Sequence, residues 1–467
     1  MRYALFVVLA FLLFAIPAAA APAAPRPNIV FLLADDLGYG DLSVQGSQTL
    51  RTPNLDRLAA EGLRLTNFYA NSPICSSSRA SFFTGQYPQR SRITSYLAYR
   101  RENAARGMAN FLDVRAPSLA RVFQQAGYAT GHFGKWHLGG QRDVGEAPLV
   151  VDYGFDRSLT QFEGLGDRLL PVFSRPMRAR WGDERRHPLG VENAQLGRGR
   201  TEFVPRAEIT GRWVDAAVGF IREARQAGKP FFVNLWPDDP HTPVEPSPAA
   251  RGDGSDQAAY RGVIEELDRD LGRLIDVIRA DPGLRDSTLI VFASDNGPES
   301  GFGSTGGLRG VKTNLYEGGI RVPFIVWGPR WLPSGSTPRV DRDTIMLGMD
   351  LAPTLLGFAG VNGVKTEGAL ALDGTDFSGV LLGRQPAPVR AVFWARPPDQ
   401  PGANGENPDA AVREGRWKLL RHDRADRNEL YDLAVDPAES RDLAAREPKR
   451  AAALAAKLHA WRQGWSN

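Results

Sequence analysis

Continuous apolar runs that end in polar residues recur along this chain, and they constrain its fold more than any other feature. Asn28 to Ala34 (NIVFLLA) leads directly into two aspartates, and Thr288 to Ala293 (TLIVFA) leads into Ser294-Asp295-Asn296. A third run, Pro230 to Trp236 (PFFVNLW), has the same character. Such runs are typical of strands that are buried on both faces of a parallel sheet.

Amphipathic helices are predicted between these strands. Thr52 and Pro53 indicate a helix start and Gly62 its end, and a longer helix is predicted from Tyr260 to Ile278. The alternation predicts an α/β protein with a large mixed, mostly parallel sheet sandwiched by helices. From about Val389, short strand patterns precede an Ala-rich helix, which predicts a smaller C-terminal α+β subdomain.

Length and composition indicate a large folded protein. The 467 residues are 42% hydrophobic and 24% charged, which excludes the disordered and collagen-like classes. Residues 1–20 combine a positive start, an apolar run and small residues, which predicts a secretory signal peptide. We therefore expect an exported protein, periplasmic or secreted and free of the membrane after cleavage, with a large domain over 27–385 and the C-terminal subdomain over 386–467. The net charge of +4 is small and no nucleic-acid-binding motif accompanies it, so no nucleic-acid partner is expected.

The chain contains one cysteine, Cys75. A single thiol excludes an intramolecular disulfide and any metal site built from paired thiols. Cys75 stands at the start of a short predicted helix that Gly85 ends, and Arg79 adds positive potential near the thiol. The polar neighbours predict an accessible side chain. From the residues alone, a structural cysteine and a thiolate nucleophile both remain open.

Polar side chains follow the predicted strands, where ligands bind in open α/β sheets. The groups are Asp35-Asp36, Cys75 to Arg79, Lys135 with His137, and Asp295-Asn296. Three carboxylates and one amide oxygen at a single sheet edge form a ligand set for one hard divalent cation. Ca²⁺ is preferred because it tolerates irregular coordination and amide oxygens, and Mg²⁺ is the alternative.

The segment around the cysteine resembles the signature of the type I sulfatases, which belong to the alkaline-phosphatase-like superfamily. The matching residues are Cys75-Ser76-Ser77-Ser78-Arg79, Ala80-Ser81 and Thr84-Gly85. Other segments resemble family motifs in the family's order, namely NIVFLLADDLGYGD, TPNLDRLAAEG, GKWHLG, PHTP, SDNGP, EGGIRVP and ELYDLAVD. The resemblance covers about residues 27 to 445, is closest in style to the arylsulfatase and galactosamine-sulfatase branch, and implies an alkaline-phosphatase-like fold.

The resemblance implies a sulfuric ester hydrolase that converts sulfate monoesters, of carbohydrates or aryl compounds, to an alcohol and inorganic sulfate. In that family the motif cysteine becomes formylglycine during export, which implies the same fate for Cys75 and a formylglycine-generating maturation enzyme as a partner. The hydrated aldehyde suits the reaction because one hydroxyl can attack sulfur and the other can expel sulfate. Ser77 departs from the family pattern, which usually has proline or alanine at this position.

The resemblance also implies a role for each site residue. The implied metal ligands are Asp35, Asp36, Cys75, Asp295 and Asn296. Arg79 would hold the hydrated aldehyde, while Lys135 and Lys312 would neutralise the sulfate oxygens. His137 would accept a proton from the diol, and His241 would protonate the leaving alcohol.

Other functions remain open from the sequence. A formylglycine-dependent phosphonate or phosphodiester hydrolase would use the same nucleophile. A two-metal phosphatase of the superfamily would need more ligands than the one set found, and a Ser or Thr nucleophile after the first strand. An inactive glycan-binding relative would keep the fold with Cys75 unconverted. The expected ligand is a sulfated small molecule or glycan.

Overall fold

The computed structural model describes residues 26–174, 186–332, 339–361, 371–396 and 407–465, so the predicted signal peptide lies outside the described residues. The strands are β1 (Asn28–Ala34), β2 (Leu63–Leu65), β3 (Phe68–Tyr69), β4 (Ala129–Gly134), β5 (Arg157–Thr160), β6 (Arg168–Val172), β7 (Thr201–Pro205), β8 (Phe231–Trp236), β9 (Thr288–Ser294), β10 (Phe324–Trp327), β11 (Arg339–Asp341), β12 (Met346–Leu347), β13 (Ala391–Ala395), β14 (Ala410–Glu414), β15 (Trp417–His422) and β16 (Arg427–Asp432). The α-helices are α1 (Pro53–Glu61), α2 (Cys75–Thr84), α3 (Pro88–Ser91), α4 (Arg100–Ala105), α5 (Leu119–Gln125), α6 (Pro188–Gln195), α7 (Ile209–Gln226), α8 (Asp256–Ala280), α9 (Pro282–Arg285), α10 (Glu317–Ile320), α11 (Leu351–Ala359), α12 (Ser378–Leu381) and α13 (Pro448–Gln463). None of these helices is both long enough and apolar enough to cross a membrane.

The large sheet contains ten described strands in the order β11-β2-β10-β9-β1-β8-β4-β5-β6-β7. Its centre is parallel, with Val30 of β1 opposite Ile290 of β9 on one side and Val233 of β8 on the other. The β10 strand runs antiparallel to both β9 and β2. The predicted large, mixed and mostly parallel sheet is therefore confirmed.

Helices cover both faces of this sheet. Ile29, Phe31 and Leu33 of β1 pack into a core that includes residues of α2, α5 and α11. The alternate residues of β1, beginning with Val30, pack into a second core with α1, α7 and α8. Because both sets of side chains are buried, the central strands are continuous apolar runs in the sequence. For this reason the sequence predicts β1, β8 and β9 to within one residue of their bounds.

The sequence does not predict β5, β6 and β7, which extend the sheet beyond β4. Most residues of β5 (RSLT) and β7 (TEFVP) are partly or fully exposed, and neither strand contains a continuous buried apolar run. Short strands of this kind lack the apolar run by which a buried strand is recognised.

The C-terminal residues form a four-stranded antiparallel sheet in the order β13-β14-β15-β16. Leu454 and Leu458 of α13 pack on one face, against Leu419. On the other face, Trp394 and Leu420 share a core with residues of the main body. The predicted C-terminal α+β subdomain is confirmed, although the sequence does not predict β14. The domain limits at 385 and 386 stay a prediction.

A buried ionic cluster connects the small sheet to the main body. Nζ of Lys418, in β15, lies 2.9 Å from Oε1 of Glu317 and 2.9 Å from Oε1 of Glu439. All three side chains are fully buried, and Glu317 also accepts a hydrogen bond from the Tyr69 hydroxyl at 2.7 Å. Charges removed from water need oppositely charged partners, so each member of the cluster depends on the others.

We predict that Lys418→Met destabilises the protein by about 3–5 kcal/mol. The buried carboxylate of Glu439 loses its cationic partner, and that of Glu317 keeps, among the described residues, only the longer ion pair with Arg321 at 3.5 Å. Lys457→Met is the matched control: Lys457 pairs with Glu414 at 2.6 Å, but both side chains are more than a third exposed. Such surface pairs contribute at most about 1 kcal/mol. Thermal and urea unfolding of the two variants measures the difference, and equal losses would contradict the proposed role of the cluster.

Candidate active site

Four neighbouring parallel strands, β9, β1, β8 and β4, carry most of the predicted site residues at their carboxyl ends. Asp35 and Asp36 follow β1, and Lys135 and His137 follow β4. The remaining strand-end residues are His241 after β8, and Asp295 and Asn296 after β9. Because these strands are adjacent and parallel, their polar ends meet at one edge of the sheet.

The predicted metal ligands lie together at this edge. Ligand atoms within 4.8 Å of one another belong to Asp35, Asp36, Cys75 and His241. Asp295 and Asn296 adjoin this group through Asp36. Oδ1 of Asp295 accepts a hydrogen bond from the Asp36 backbone N–H at 3.2 Å, and Nδ2 of Asn296 donates to Oδ1 of Asp36 at 2.6 Å.

Two buried oxygens in this group accept no hydrogen bond within the described part of the chain. They are Oδ1 of Asp35 and Oδ1 of Asn296, and both residues are fully buried. A buried acceptor without a donor costs about 1–3 kcal/mol. Carboxylate and amide oxygens of this kind are the ligands that hard divalent cations prefer, so these residues fit such a cation.

Three cationic side chains balance the carboxylates. Nζ of Lys135 lies 2.7 Å from Oδ2 of Asp35, and Nζ of Lys312 lies 2.6 Å from Oδ2 of Asp36. Arg79 is fully buried, and its Nε donates to Oδ2 of Asp295 at 2.9 Å. The predicted substrate-binding lysines and Arg79 therefore contact the acidic group directly.

The two carboxylates nearest Arg79 differ in their ease of ionisation. Burial opposes ionisation of Asp35, but the charges of Lys135 and Arg79 hold its pKa well below the usual range. Burial and the negative charge of Asp35 together raise the pKa of Asp295. A cation bound beside Asp295 would lower that pKa, so binding and ionisation of Asp295 favour each other.

Cys75 is the first residue of α2 and is only 2% exposed, so the prediction of an accessible thiol is wrong. Its polar neighbours are buried as well, because every residue of α2 is buried and its apolar side chains share a core with one face of β1. Burial raises the pKa of the Cys75 thiol, so the unmodified residue is a protonated thiol near neutral pH. A protonated thiol is a poor nucleophile, which disfavours a thiolate mechanism.

His241 contacts the acidic group directly. Its Nε2 lies 3.0 Å from Nζ of Lys312 and 3.6 Å from Oδ2 of Asp36. Its Nδ1 lies 2.5 Å from the carbonyl oxygen of Thr242, which can only accept, so Nδ1 carries the hydrogen. The second predicted histidine, His137, does not contact the acidic group; it contacts Glu163, which lies near Lys135, and Lys135 pairs with Asp35.

Backbone strain accompanies the site. Asp36, His137 and Thr313 all have left-handed φ values, of 64°, 55° and 73°. A non-glycine residue in this conformation costs roughly 1–2 kcal/mol. Gly297 follows Asn296 and lies so near Gly318 that an added Cβ would be 1.9 Å from the Gly318 carbonyl oxygen. The loops around the site therefore adopt backbone conformations that are unfavourable for most residues and that the surrounding structure must stabilise.

A cavity of about 940 Å³ opens above these residues, and Cys75, Lys135 and Lys312 all line it. Apolar side chains form part of its wall, including Phe162, Phe173, Pro188 and Leu189. Charged groups such as Arg142, Arg206 and Glu299 also face it. The volume is within the range of pockets that enclose a small organic ligand.

Sequence reasoning missed Glu163, which lines the same cavity. Oε1 of Glu163 lies 3.1 Å from Nε2 of His137, and Oε2 lies 3.5 Å from Nζ of Lys135. Glu163 follows β5 as Asp35 follows β1, so its signal was again a polar residue after a strand. That signal was lost because β5 itself is not recognisable as an apolar run.

Comparison with known proteins decides the family. A model described as sulfatase matches residues 27–361, and one described as N-sulphoglucosamine sulphohydrolase, C-terminal, matches residues 311–463. The chain belongs to the sulfatase family. As a member of this family it is a sulfuric ester hydrolase.

Individual sulfatases support the same assignment. Arylsulfatase A of Bos taurus is 33% identical, over 92% of this chain and 82% of its own. N-acetylgalactosamine-6-sulfatase of Canis lupus familiaris is 31% identical, over 81% of this chain and 70% of its own. The solved structure of Ps i-CgsB with k-i-k-neocarrahexaose is 25% identical, has a TM-score of 0.74, and covers 93% of this chain and 92% of its own. The resemblance to the arylsulfatase and galactosamine-sulfatase branch, with its alkaline-phosphatase-like fold, is therefore confirmed.

We predict that Asp295→Asn weakens Ca²⁺ binding by about 100-fold or more, since changes behind a metal ligand already cost about 10- to 100-fold. Calorimetric titration of chelator-treated protein measures this affinity without relying on activity. The matched control is Asp41→Asn, because Asp41 is also a buried carboxylate near the end of β1 but hydrogen-bonds to Gly38, Tyr260 and Ser304. Unchanged affinity in the Asp295 variant would remove that residue from the ligand set.

Proposed function

We propose that the chain is an exported sulfatase that cleaves sulfate monoesters of carbohydrates or aryl compounds with a nucleophile made from Cys75. The observation that carries this proposal is the meeting of Cys75, two lysines and an acidic group around one cavity. Negative charge develops on the sulfate oxygens as the ester bond breaks, and fixed cations stabilise that charge. Export rests on the predicted signal peptide over 1–20, and the catalytic domain is proposed to span 27–385.

The proposed cation site consists of Asp35, Asp36, Asp295, Asn296 and the modified Cys75. Ca²⁺ suits this set better than Mg²⁺, since Mg²⁺ demands near-octahedral geometry and keeps several waters. We assign His241 to proton transfer instead, because hard cations prefer oxygen to imidazole nitrogen. When bound, the cation supplies a Lewis acid for one sulfate oxygen.

Formylglycine at position 75 supplies a hydrated aldehyde, in which one hydroxyl attacks sulfur and the second expels sulfate. The resemblance of the segment from Cys75 to Arg79 to the family signature supports this conversion, and the buried thiol disfavours a thiolate nucleophile in its place. A formylglycine-generating enzyme is therefore a proposed partner. Ser77, where the family usually has proline or alanine, is buried within α2 and donates weakly to the Ile74 carbonyl oxygen at 3.4 Å.

The surrounding side chains divide the remaining work. Lys135 and Lys312 neutralise sulfate oxygens, and their ammonium groups are already held in place by Asp35 and Asp36. Arg79, fixed by two carboxylates, holds the hydrated aldehyde. His137 accepts the proton of the attacking hydroxyl, and His241 protonates the leaving alcohol.

The organic part of the substrate is proposed to occupy the outer cavity. Phe162 and Leu189 offer an apolar surface for an aryl group or for the apolar face of a sugar ring, while Arg142 and Glu299 can hydrogen-bond to hydroxyl groups. Aryl sulfates and sulfated carbohydrates are therefore both compatible with a cavity wall that contains apolar and charged side chains.

Two alternatives use the same site. A phosphonate or phosphodiester hydrolase would share the formylglycine nucleophile and the cations. An inactive glycan-binding relative would keep Cys75 as a thiol. The two-metal phosphatase is disfavoured, because one group of acidic, histidine and cysteine ligands with a metal-like spacing occurs among the described residues.

We predict that protein purified from cells that mature sulfatases hydrolyses 4-nitrophenyl sulfate faster than two phosphorus esters at equal concentration. These are a phenylphosphonate ester and bis(4-nitrophenyl) phosphate. Cys75→Ala should reduce all of these rates to that of a heat-inactivated sample, because it removes the nucleophile. A faster rate with the phosphorus esters would favour the alternative hydrolase. No hydrolysis of any of these esters by a protein in which Cys75 remains a thiol would favour the inactive relative.

A further inference from the structure

The Glu163 carboxylate contacts two residues of the proposed mechanism but has no role in it. It lies 3.1 Å from His137 and 3.5 Å from Lys135, and only 8% of the side chain is exposed. Burial opposes its ionisation, but the electrostatic interactions with His137, Lys135 and Arg142 lower the pKa of Glu163 to about 2. The ionised carboxylate can accept hydrogen bonds but cannot donate them.

This contact determines which ring nitrogen of His137 carries the hydrogen. Nε2 of His137 faces two acceptors, Oε1 of Glu163 and, at 3.3 Å, the carbonyl oxygen of Leu97. Because neither acceptor can donate, the hydrogen must be on Nε2. Burial lowers the pKa of His137 to about 3, so the ring is neutral and Nδ1 has a free lone pair.

The other ring nitrogen is available for a proton. Nδ1 of His137 is buried and accepts no hydrogen bond from any described residue. His137 and Cys75 line the same cavity. The ring therefore offers a lone pair on its Nδ1 side while Glu163 holds its Nε2 side.

We propose that Glu163 is a positioning residue that fixes His137 as a base acting through Nδ1. This inference rests on the proposed function, in which His137 accepts the nucleophile's proton. In that step the hydroxyl at position 75 loses its proton to Nδ1 as its oxygen bonds to sulfur. The S–O bond of the ester breaks at the same time, and His241 protonates the leaving alcohol. The resulting imidazolium is stabilised by the Glu163 carboxylate next to its Nε2–H.

Hydrogen bonds of the backbone join the loops of His137 and Glu163 independently of the Glu163 carboxylate. The backbone N–H of His137 donates to the carbonyl oxygen of Glu163 at 2.8 Å, and the backbone N–H of Glu163 donates to Oε1 of Gln161 at 2.9 Å. These bonds hold the two loops together without the carboxylate. Substitutions of the Glu163 side chain are therefore expected to leave the fold in place.

The test compares Glu163→Gln and Glu163→Ala in the full-length, matured protein, with 4-nitrophenyl sulfate as the substrate. Glu163→Gln keeps an acceptor oxygen for Nε2–H but removes the negative charge, so kcat should fall about 10- to 100-fold. Glu163→Ala also removes the acceptor that holds the His137 ring. The fall in kcat should therefore be larger and approach the loss of a general base, about 100- to 10,000-fold. KM should change little in Glu163→Gln, because the cations that bind sulfate remain.

The matched control is Glu266→Gln, since Glu266 is also buried, accepts a hydrogen bond from the Ser247 backbone and pairs with Arg269. It should keep wild-type kcat. The proposal is overturned if both Glu163 variants keep the wild-type kcat, or if kcat falls no further in Glu163→Ala than in Glu163→Gln. It is also overturned if KM rises while kcat is unchanged. Melting temperatures accompany each rate, and if Glu163→Ala does not fold, the near-isosteric Gln variant decides. Absence of sulfate release by the wild-type protein would instead count against the proposed function itself.

Discussion

The burial of opposite charges at the carboxyl edge of the central sheet is the interaction on which the rest of the site depends. Asp35, Asp36 and Asp295 are almost without solvent, as is Arg79. Charges in such surroundings need partners within a few ångströms, because water no longer screens or solvates them. Lys135 and Lys312 supply those partners from the loop after β4 and the loop after β9. The same lysines face the cavity, so the groups that stabilise the acidic residues are also those proposed to bind sulfate.

This arrangement explains why a cysteine stands at the first position of α2. Burial of α2 places Cys75 beside the acidic group, and it also deprives the thiol of solvent. A thiol is unsuited to that place because its reactive form is an anion. A hydrated aldehyde is neutral and can hydrogen-bond to the surrounding charges, so this environment would suit the proposed formylglycine better than a thiol. The left-handed backbone at Asp36 and His137 is consistent with a site held in one geometry.

Much of this could be predicted from the sequence, and the reasons are physical. The central strands are buried on both faces, which makes them apolar runs that end where the polar site residues begin. The segment from Cys75 to Arg79 resembles a family signature, and that resemblance implied roles for the site residues. Neither the strand pattern nor the family resemblance identified Glu163. The strand before it, β5, is short and partly exposed, and Glu163 lies outside the recognised motifs. Exposure of Cys75 was predicted wrongly because polar neighbours normally indicate a surface, whereas here they are buried with it.

The central claim is that the nucleophile is made from Cys75, and mass spectrometry of the tryptic peptide from Leu65 to Arg79 tests it most directly. The protein should come from cells known to mature sulfatases, with a Cys75→Ala sample as the reference. We expect a mass in which the thiol is replaced by an aldehyde, and reaction of that peptide with a hydrazide probe. A peptide found only as the free thiol, from protein that nevertheless releases sulfate, would contradict the account.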